Sequence, residues 1–345
     1  MKAILKTHMA AGLTMESVQK PTDLKPAEVL VKVKRSSICG SDVHIYKWDD
    51  WAKSHIKPPM IIGHEFAGIV EQVGEAVETI RVGDFVAAET HIPCQECYQC
   101  KTNRRHVCKN MKILGVDIDG AFAEYAKVPQ TILWKVSPKI SPDFASVMEP
   151  FGNAVHTALV EDLAGKTVLI TGIGPIGAMA VQVARAAGAS FIIASEIKPY
   201  RKNLAKSNGA DVVIDPTQED LYETIMNITS GDGVDVLLEM SGNADALEQG
   251  LKTLTRGGTA SILGVFGTKV RLLIDELITF KGIKLYGITG RKIFETWRIA
   301  DQLLSSGKVD LSKVVTHIIP FEEWQKGFDL MMKGECGKVV MKISD

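Results

Sequence analysis

The chain reads as an α/β protein in two bodies: a mostly antiparallel β domain, then a doubly wound parallel sheet with helices on both faces. Three observations predict this. Short β-like runs separated by Gly, Pro and charged turns fill roughly residues 1–136. Across about 151–290, β-like runs alternate with amphipathic helical ones. A glycine turn, Gly172-Ile173-Gly174-Pro175-Ile176-Gly177, sits where one strand passes into one helix.

Taken in order, residues 29–33, 68–73 and 84–88 alternate or run apolar over strand lengths, with turn residues close by. The style changes near Glu149-Pro150-Phe151-Gly152-Asn153. Strands are then predicted at 167–171, 190–196, 211–215, 234–239, 259–265 and 283–287. Helices are predicted between them at 176–187, 200–208, 221–228 and 244–255. The tail, helical at 294–304 and β-like at 338–343, no longer fits the alternation. It is either a separate cap or a return to the first domain. There is no internal repeat and no low-complexity segment.

A chain of 345 residues can bury a large core and accommodates two domains. Its 46% apolar and 23% charged residues are those of an ordinary globular protein. Forty basic residues against forty-one acidic ones leave a formal charge of -1, so no nucleic-acid partner is expected. The N-terminus opens like a signal peptide, but Lys6 and His8 interrupt it before an apolar stretch forms. The uncharged run 167–184 carries Gly172, Gly174, Pro175 and Gly177, so it reads as strand, turn and helix and not as a membrane span. A cytoplasmic location and no membrane partner are the expectation.

The glycine turn follows a strand and opens a helix, the context that dinucleotide binding requires of a Rossmann-type fold. Gly172 permits the tight turn, Gly174 lets the backbone approach a pyrophosphate, and Gly177 lets the helix pack on the strand. Pro175 suits the first helical position, and the helix N-terminus offers free N–H groups to phosphate. The second strand ends at Glu196, 24 positions after Gly172. A carboxylate there accepts from ribose hydroxyls and repels a 2′-phosphate, favouring NAD over NADP. The nearby Lys198 and Arg201 pull the other way.

Six cysteines in such a chain argue for metal or catalysis ahead of disulfides. Cys94, Cys97, Cys100 and Cys108 lie on one segment whose two-residue gaps suit a closed, tetrahedral structural zinc. Lys101, Arg104 and Arg105 offset the thiolate charge, and an iron–sulfur cluster is the rival reading. A second, open metal site is expected from Cys39, His64 and a carboxylate, Glu65 or Glu149, with one position left for substrate or water. Ser41 would place a hydroxyl against a metal-bound alcohol, His44 would take the proton onward, and Asp42 would accept the His64 ring N–H.

Cys39-Gly40-Ser41-Asp42-x-His44, Gly63-His64-Glu65-x-x-Gly68, the four-cysteine segment and Gly172 to Gly177 occur in the order seen in zinc-dependent medium-chain alcohol dehydrogenases. The resemblance covers nearly the whole chain. Residues 149–157 and 290–297 look most like those of members that oxidise L-threonine. The resemblance implies a GroES-like catalytic domain of 1–150 and 291–345, made discontinuous by an NAD-binding Rossmann domain at 151–290. It also implies two zinc ions per chain, cofactor contacts at Ile176, Arg201, Leu263, Ile288 and Thr289, a homotetramer, and closure of the domains over the substrate. The implied reaction turns L-threonine and NAD⁺ into 2-amino-3-oxobutanoate and NADH. Arg291 is expected to hold the threonine carboxylate bidentately, and His91 to line the same pocket. A sorbitol or butanediol dehydrogenase, and a non-enzymatic NAD(H)- and zinc-binding sensor, are the alternatives.

Overall fold

The computed structural model describes all 345 residues, and the chain divides into two compact units. The first comprises Met1–Pro150, Arg291–Ser305 and Val315–Asp345; the second comprises Phe151–Gly290 and Ser306–Val314.

The first unit is built on a seven-stranded sheet. Its long central strand Glu28–Ser37 pairs antiparallel with Glu65–Val73, with Tyr125–Pro129 and with the C-terminal strand Lys338–Lys342. Only the pairing of Val315–Pro320 with Lys338–Lys342 is parallel in this sheet. A three-stranded sheet of Thr14–Ser17, Lys2–Lys6 and Met60–Ile61 lies in the same unit. Alternation sets the core: Val29, Val31 and Val33 face inward with Phe66, Val70, Val86 and Leu133. A second cluster joins Ile4, Ile38, Ile45 and Phe122 from the N-terminal half to Trp324, Phe328 and Met341 from the tail.

The tail thus returns to the first unit through its apolar face. Phe328, on the helix Trp324–Lys333, stacks on Tyr46 at 5.2 Å and meets Phe122 edge-on at 6.5 Å. It is fully buried. Phe328→Ala should destabilise the protein by about 3–5 kcal/mol, read as a lower guanidinium midpoint with an unchanged slope. The helix Glu295–Ser305 is fixed by Asp301, which accepts from Trp134 Nε1 at 3.1 Å and Ser137 N at 3.0 Å.

One stretch of the tail departs from expectation. Residues 306–314 belong to the second unit, where Gln182 donates to Asp310 O at 2.8 Å and accepts from Asp310 N at 2.7 Å. A buried amide matched to both backbone groups of Asp310, with Val309, Leu311 and Val314 buried beside it in sequence, explains why the segment is held there.

The second unit contains six parallel strands in the spatial order Val212–Ile214, Phe191–Ser195, Thr167–Thr171, Val234–Glu239, Leu254–Ile262, Lys284–Gly287. Counting within the unit this is 3-2-1-4-5-6, the doubly wound order that reverses between its first and fourth strands. The expected α/β class is borne out. Central strands are buried almost throughout, as parallel strands covered on both faces must be. Their core gathers Leu169, Ile193, Leu237, Leu251 and Ala260. The fifth strand starts five residues earlier than periodicity suggested, because its register to Val234–Glu239 slips between Leu254 and Thr259. The edge strand Lys284–Gly287 is exposed along its whole length.

Candidate active site

In the first unit, Cys94, Cys97, Cys100 and Cys108 converge so that all four Sγ atoms lie within 4.8 Å of one another. Cys97 precedes the short helix Tyr98–Lys101, Cys100 lies on it, and Cys108 follows the turn Arg105–Val107. Neighbouring sulfurs stand 3.5 Å (Cys97–Cys100), 3.5 Å (Cys94–Cys108) and 3.7 Å (Cys97–Cys108) apart. A tetrahedral zinc with bonds of about 2.3 Å needs edges near ~3.8 Å, so the four thiols fit it. None is in a disulfide. The Cys100 backbone N–H helps bring the Cys97 thiol down to about 6, whereas burial and the neighbouring sulfurs push Cys100 up to about 12. Four thiols this close cannot all ionise without a cation among them. Of the expected counter-charges, Arg104 lies over the Tyr98 ring at 4.9 Å and donates to Thr102 Oγ1.

A second cluster in the same unit joins Cys39, His64 and Glu65, again within 4.8 Å. Cys39 caps the helix Gly40–Lys47, its N–H bound to Asp42 Oδ2 at 2.8 Å. Gly63 turns the chain into the strand that begins at Glu65; its φ of +90° suits glycine, and a Cβ there would fall 2.1 Å from the Phe122 ring. One oxygen of the buried Glu65 is held by Ser37 Oγ and, at 2.5 Å, by Lys338 Nζ. The other, Oε1, has no partner. His64 Nδ1 stands 3.6 Å from Asp42 Oδ1, and Ser41 Oγ lies 3.5 Å from His64 Nε2. A buried, unpartnered carboxylate oxygen beside a thiol and an imidazole is the donor set of an open zinc site.

The electrostatics of the cluster favour a cation. Burial alone would depress the His64 imidazole, yet Asp42, Cys39 and Glu149 outweigh it and push it up to about 10. Burial pushes Asp42 up to about 6 and also raises Glu149, against the pull of Arg291. A divalent ion would relieve this crowding of buried acids.

Glu149 is directed elsewhere: its Oε1 is 2.6 Å from Arg291 Nη1. Arg291 also binds Glu89, with Nε donating to Oε2 at 2.9 Å and Nη2 donating to Oε1. Trp297 Nε1 donates to the same Glu89 Oε2 at 2.7 Å. This corrects the expected role of Arg291. Its side chain is 2% exposed and its guanidinium is committed to two buried carboxylates, so it is no free fork for a substrate carboxylate. His91 also adjoins the network, with Nδ1 3.4 Å from Glu89 Oε1. Burial, then Arg291, bring its imidazole down to about 4, so it is neutral at pH 7. His44 stands apart on the helix Gly40–Lys47, half-exposed, with Nδ1 against Asp49 Oδ2. Glu89, Ser37, Lys338 and Asp49 were not signalled by the sequence; each acts through a partner that only the fold supplies.

The glycine turn forms in the second unit. Gly172 has φ +82°, and a Cβ on it would sit 2.6 Å from Ser241 Cα; one on Gly177 would sit 2.2 Å from Gly172 O. A Cβ on Gly174 would meet no atom within 4 Å, so this side of the turn is open to the approach that a pyrophosphate needs. Pro175 is the first residue of the helix Pro175–Ala186, with Ile176 next in its first turn. Glu196 lashes the turn to the second strand: Oε2 accepts from Ile173 N at 2.8 Å, and Oε1 accepts from Ile197 N and Lys198 N, both at 2.9 Å. Glu196, Lys198, Arg201, Gly172, Gly174 and Thr217 line a cavity of about 430 Å³. Arg201 Nε has no partner there. Leu263 and Ile288 follow directly on the carboxyl ends of two parallel strands, their N–H groups bound to Glu239 O and Ile262 O, and Thr289 comes next. Gly174→Ala should leave the melting temperature unchanged and weaken NADH binding roughly tenfold, about 1.4 kcal/mol, by calorimetric titration.

Residues 25–138 match the family model described as alcohol dehydrogenase GroES-like domain, and residues 175–306 match the model described as zinc-binding dehydrogenase. The chain is 49% identical to an L-threonine 3-dehydrogenase of Pyrococcus furiosus, over 99% of each chain. It is also 49% identical to one of Bacillus subtilis, over 99% of this chain and 98% of that one. Among solved structures it resembles 2R,3R-butanediol dehydrogenase from Bacillus subtilis at TM-score 0.88 and 28% identity, covering 99% of each chain. It also resembles the alcohol dehydrogenase rspB of E. coli CFT073, complexed with NADH, at TM-score 0.89 and 29% identity, covering 99% and 98%. With both models matched and full-length relatives at 49% identity, the chain belongs to the zinc-dependent medium-chain alcohol dehydrogenase family.

Proposed function

We propose that this chain oxidises L-threonine to 2-amino-3-oxobutanoate, reducing NAD⁺ to NADH and releasing one proton. The observation that carries the chemistry is the convergence of Cys39, His64 and Glu65, a buried carboxylate whose Oε1 has no partner. Full-length similarity to L-threonine 3-dehydrogenases carries the choice of substrate.

Cys39 and His64 would hold the catalytic zinc with a carboxylate: Glu65 lies in the cluster and Glu149 is retained by Arg291. Zinc supplies Lewis acidity toward the threonine hydroxyl, and NAD supplies the hydride acceptor. Ser41 takes the hydroxyl proton, and His44 passes it to solvent. Asp42 Oδ1 lies 3.6 Å from His64 Nδ1 as its ionic neighbour, while Ser37 and Lys338 fix one oxygen of Glu65 and leave Oε1 without a partner. Cys94, Cys97, Cys100 and Cys108 would hold a second zinc, which would stabilise their segment. Gly172, Gly174, Gly177, Glu196 and Arg201 bind the cofactor, joined by Ile176, Leu263, Ile288 and Thr289. His91 serves as a neutral substrate-facing group.

The chain assembles as a homotetramer. Leu285 and Tyr286 are exposed on the edge strand Lys284–Gly287, and Leu273, Ile274 and Phe280 are exposed in the segment that precedes it, so pairing between subunits along this edge would cover apolar surface. Light scattering should give four times the chain mass; a monomer would end this part of the reading. No helix is long and apolar enough to cross a membrane. Free cysteines at metal-ligand spacing support a cytoplasmic site of action.

A further inference from the structure

We propose that Asp49 is a positioning residue for the proton exit, fixing the tautomer of His44. The inference rests on the role given to His44 above. The helix Gly40–Lys47 ends at Trp48, whose φ of 57° is left-handed and unusual for a bulky residue. Its N–H closes on His44 O at 3.0 Å and Ile45 O at 3.3 Å. That reversal brings Asp49 back beside the residue five positions earlier. The carboxylate then has two tasks: Oδ1 caps the helix Asp50–His55 by accepting from Ala52 N at 3.1 Å, and Oδ2 meets His44 Nδ1. The Trp51 ring stands 6.1 Å from the imidazole, on the next helix.

The consequence is a matter of which ring nitrogen is basic. A carboxylate is acceptor-only, so Nδ1 must carry the hydrogen and Nε2 is left with the lone pair. A proton arriving from Ser41 therefore has one place to go, and the resulting imidazolium faces an anion. His44 in turn holds the Asp49 carboxyl below its ordinary range. The left-handed Trp48 is a strained local conformation, and such residues persist where the surroundings over-determine them.

The test separates this role from helix capping. In Asp49→Ser the hydroxyl still caps the helix, but nothing reaches His44. In Asp49→Asn the amide oxygen keeps the cap and the NH₂ faces Nδ1, which imposes the opposite tautomer, with Nε2 protonated. On the zinc-loaded full chain, kcat with L-threonine should fall roughly tenfold in Asp49→Ser, a fraction of what a general base contributes, and further in Asp49→Asn. KM for threonine and NAD should hold. In a His44→Ala background, Asp49→Ser should do nothing more, because the two act as one unit. Nitrogen-15 NMR should show His44 protonated on Nδ1 in the wild type and on Nε2 in Asp49→Asn. Equal losses with and without His44, or an unchanged tautomer in Asp49→Asn, would show that Asp49 only caps a helix. If the wild type oxidises another alcohol, or none, the proposed substrate or activity fails on its own, and the tautomer still decides the role of Asp49.

Discussion

His64→Ala should reduce the bound zinc from two ions per chain to one and bring threonine oxidation to background. The imidazole is one of three donors at the open site, and alanine offers nothing in its place. Loss of zinc removes the Lewis acid that makes a hydroxyl proton transferable near neutral pH, a step worth several kcal/mol. The four-cysteine site belongs to a different segment and shares no donor with the open one. The variant should therefore keep its remaining zinc and its circular dichroism. Metal analysis by mass spectrometry, run beside an NADH-production assay, reads both outcomes. A variant that kept two zincs would remove His64 from the ligand set.

Arg291→Met should cripple the enzyme by another route. The guanidinium neutralises Glu89 and Glu149, both buried, and without it both carboxylates lose their counter-ion, Glu89 keeping only the N–H groups of Trp297 and His91. Breaking a buried pair by removing one partner destabilises by about 3–5 kcal/mol, seen as a lower denaturation midpoint. Arg291→Met combined with Glu89→Gln and Glu149→Gln should recover much of that stability, because no uncompensated charge remains. Its activity should stay low if Glu149 has a part at the metal. Had Arg291 bound substrate directly, the single variant would raise the threonine KM and leave stability alone. That contrast is the means of telling a buried counter-ion from a clamp.

Arg291 also shows where the sequence stopped being legible. Beside Lys292 and before a helix, it has the local pattern of an exposed cation. Its burial depends on Glu89, 202 positions earlier, which the strand Phe85–Ala88 delivers to the interior. No spacing encodes such a partnership. The doubly wound sheet, in contrast, could be read nearly element by element, since period, length and turn chemistry are local. The four cysteines were legible for the same reason, as one segment carries the whole ligand set. Cys39 and His64 were legible from their glycine-flanked motifs, and Gly63 proves to be required by the Phe122 ring against it. The choice between Glu65 and Glu149 was not, because it turns on which carboxylate is already engaged: Glu149 by Arg291, Glu65 on one oxygen only.

With Arg291 committed inside the protein, the preference for an amino-acid substrate rests on similarity over the whole chain and not on one cation. Direct comparison of kcat/KM for L-threonine, 2R,3R-butanediol and sorbitol, with NAD⁺ on the zinc-loaded protein, therefore bears on the central claim. L-Threonine should be the best of the three by at least about tenfold, a difference near 1.4 kcal/mol in transition-state binding. A diol or polyol turned over as efficiently as threonine would contradict it.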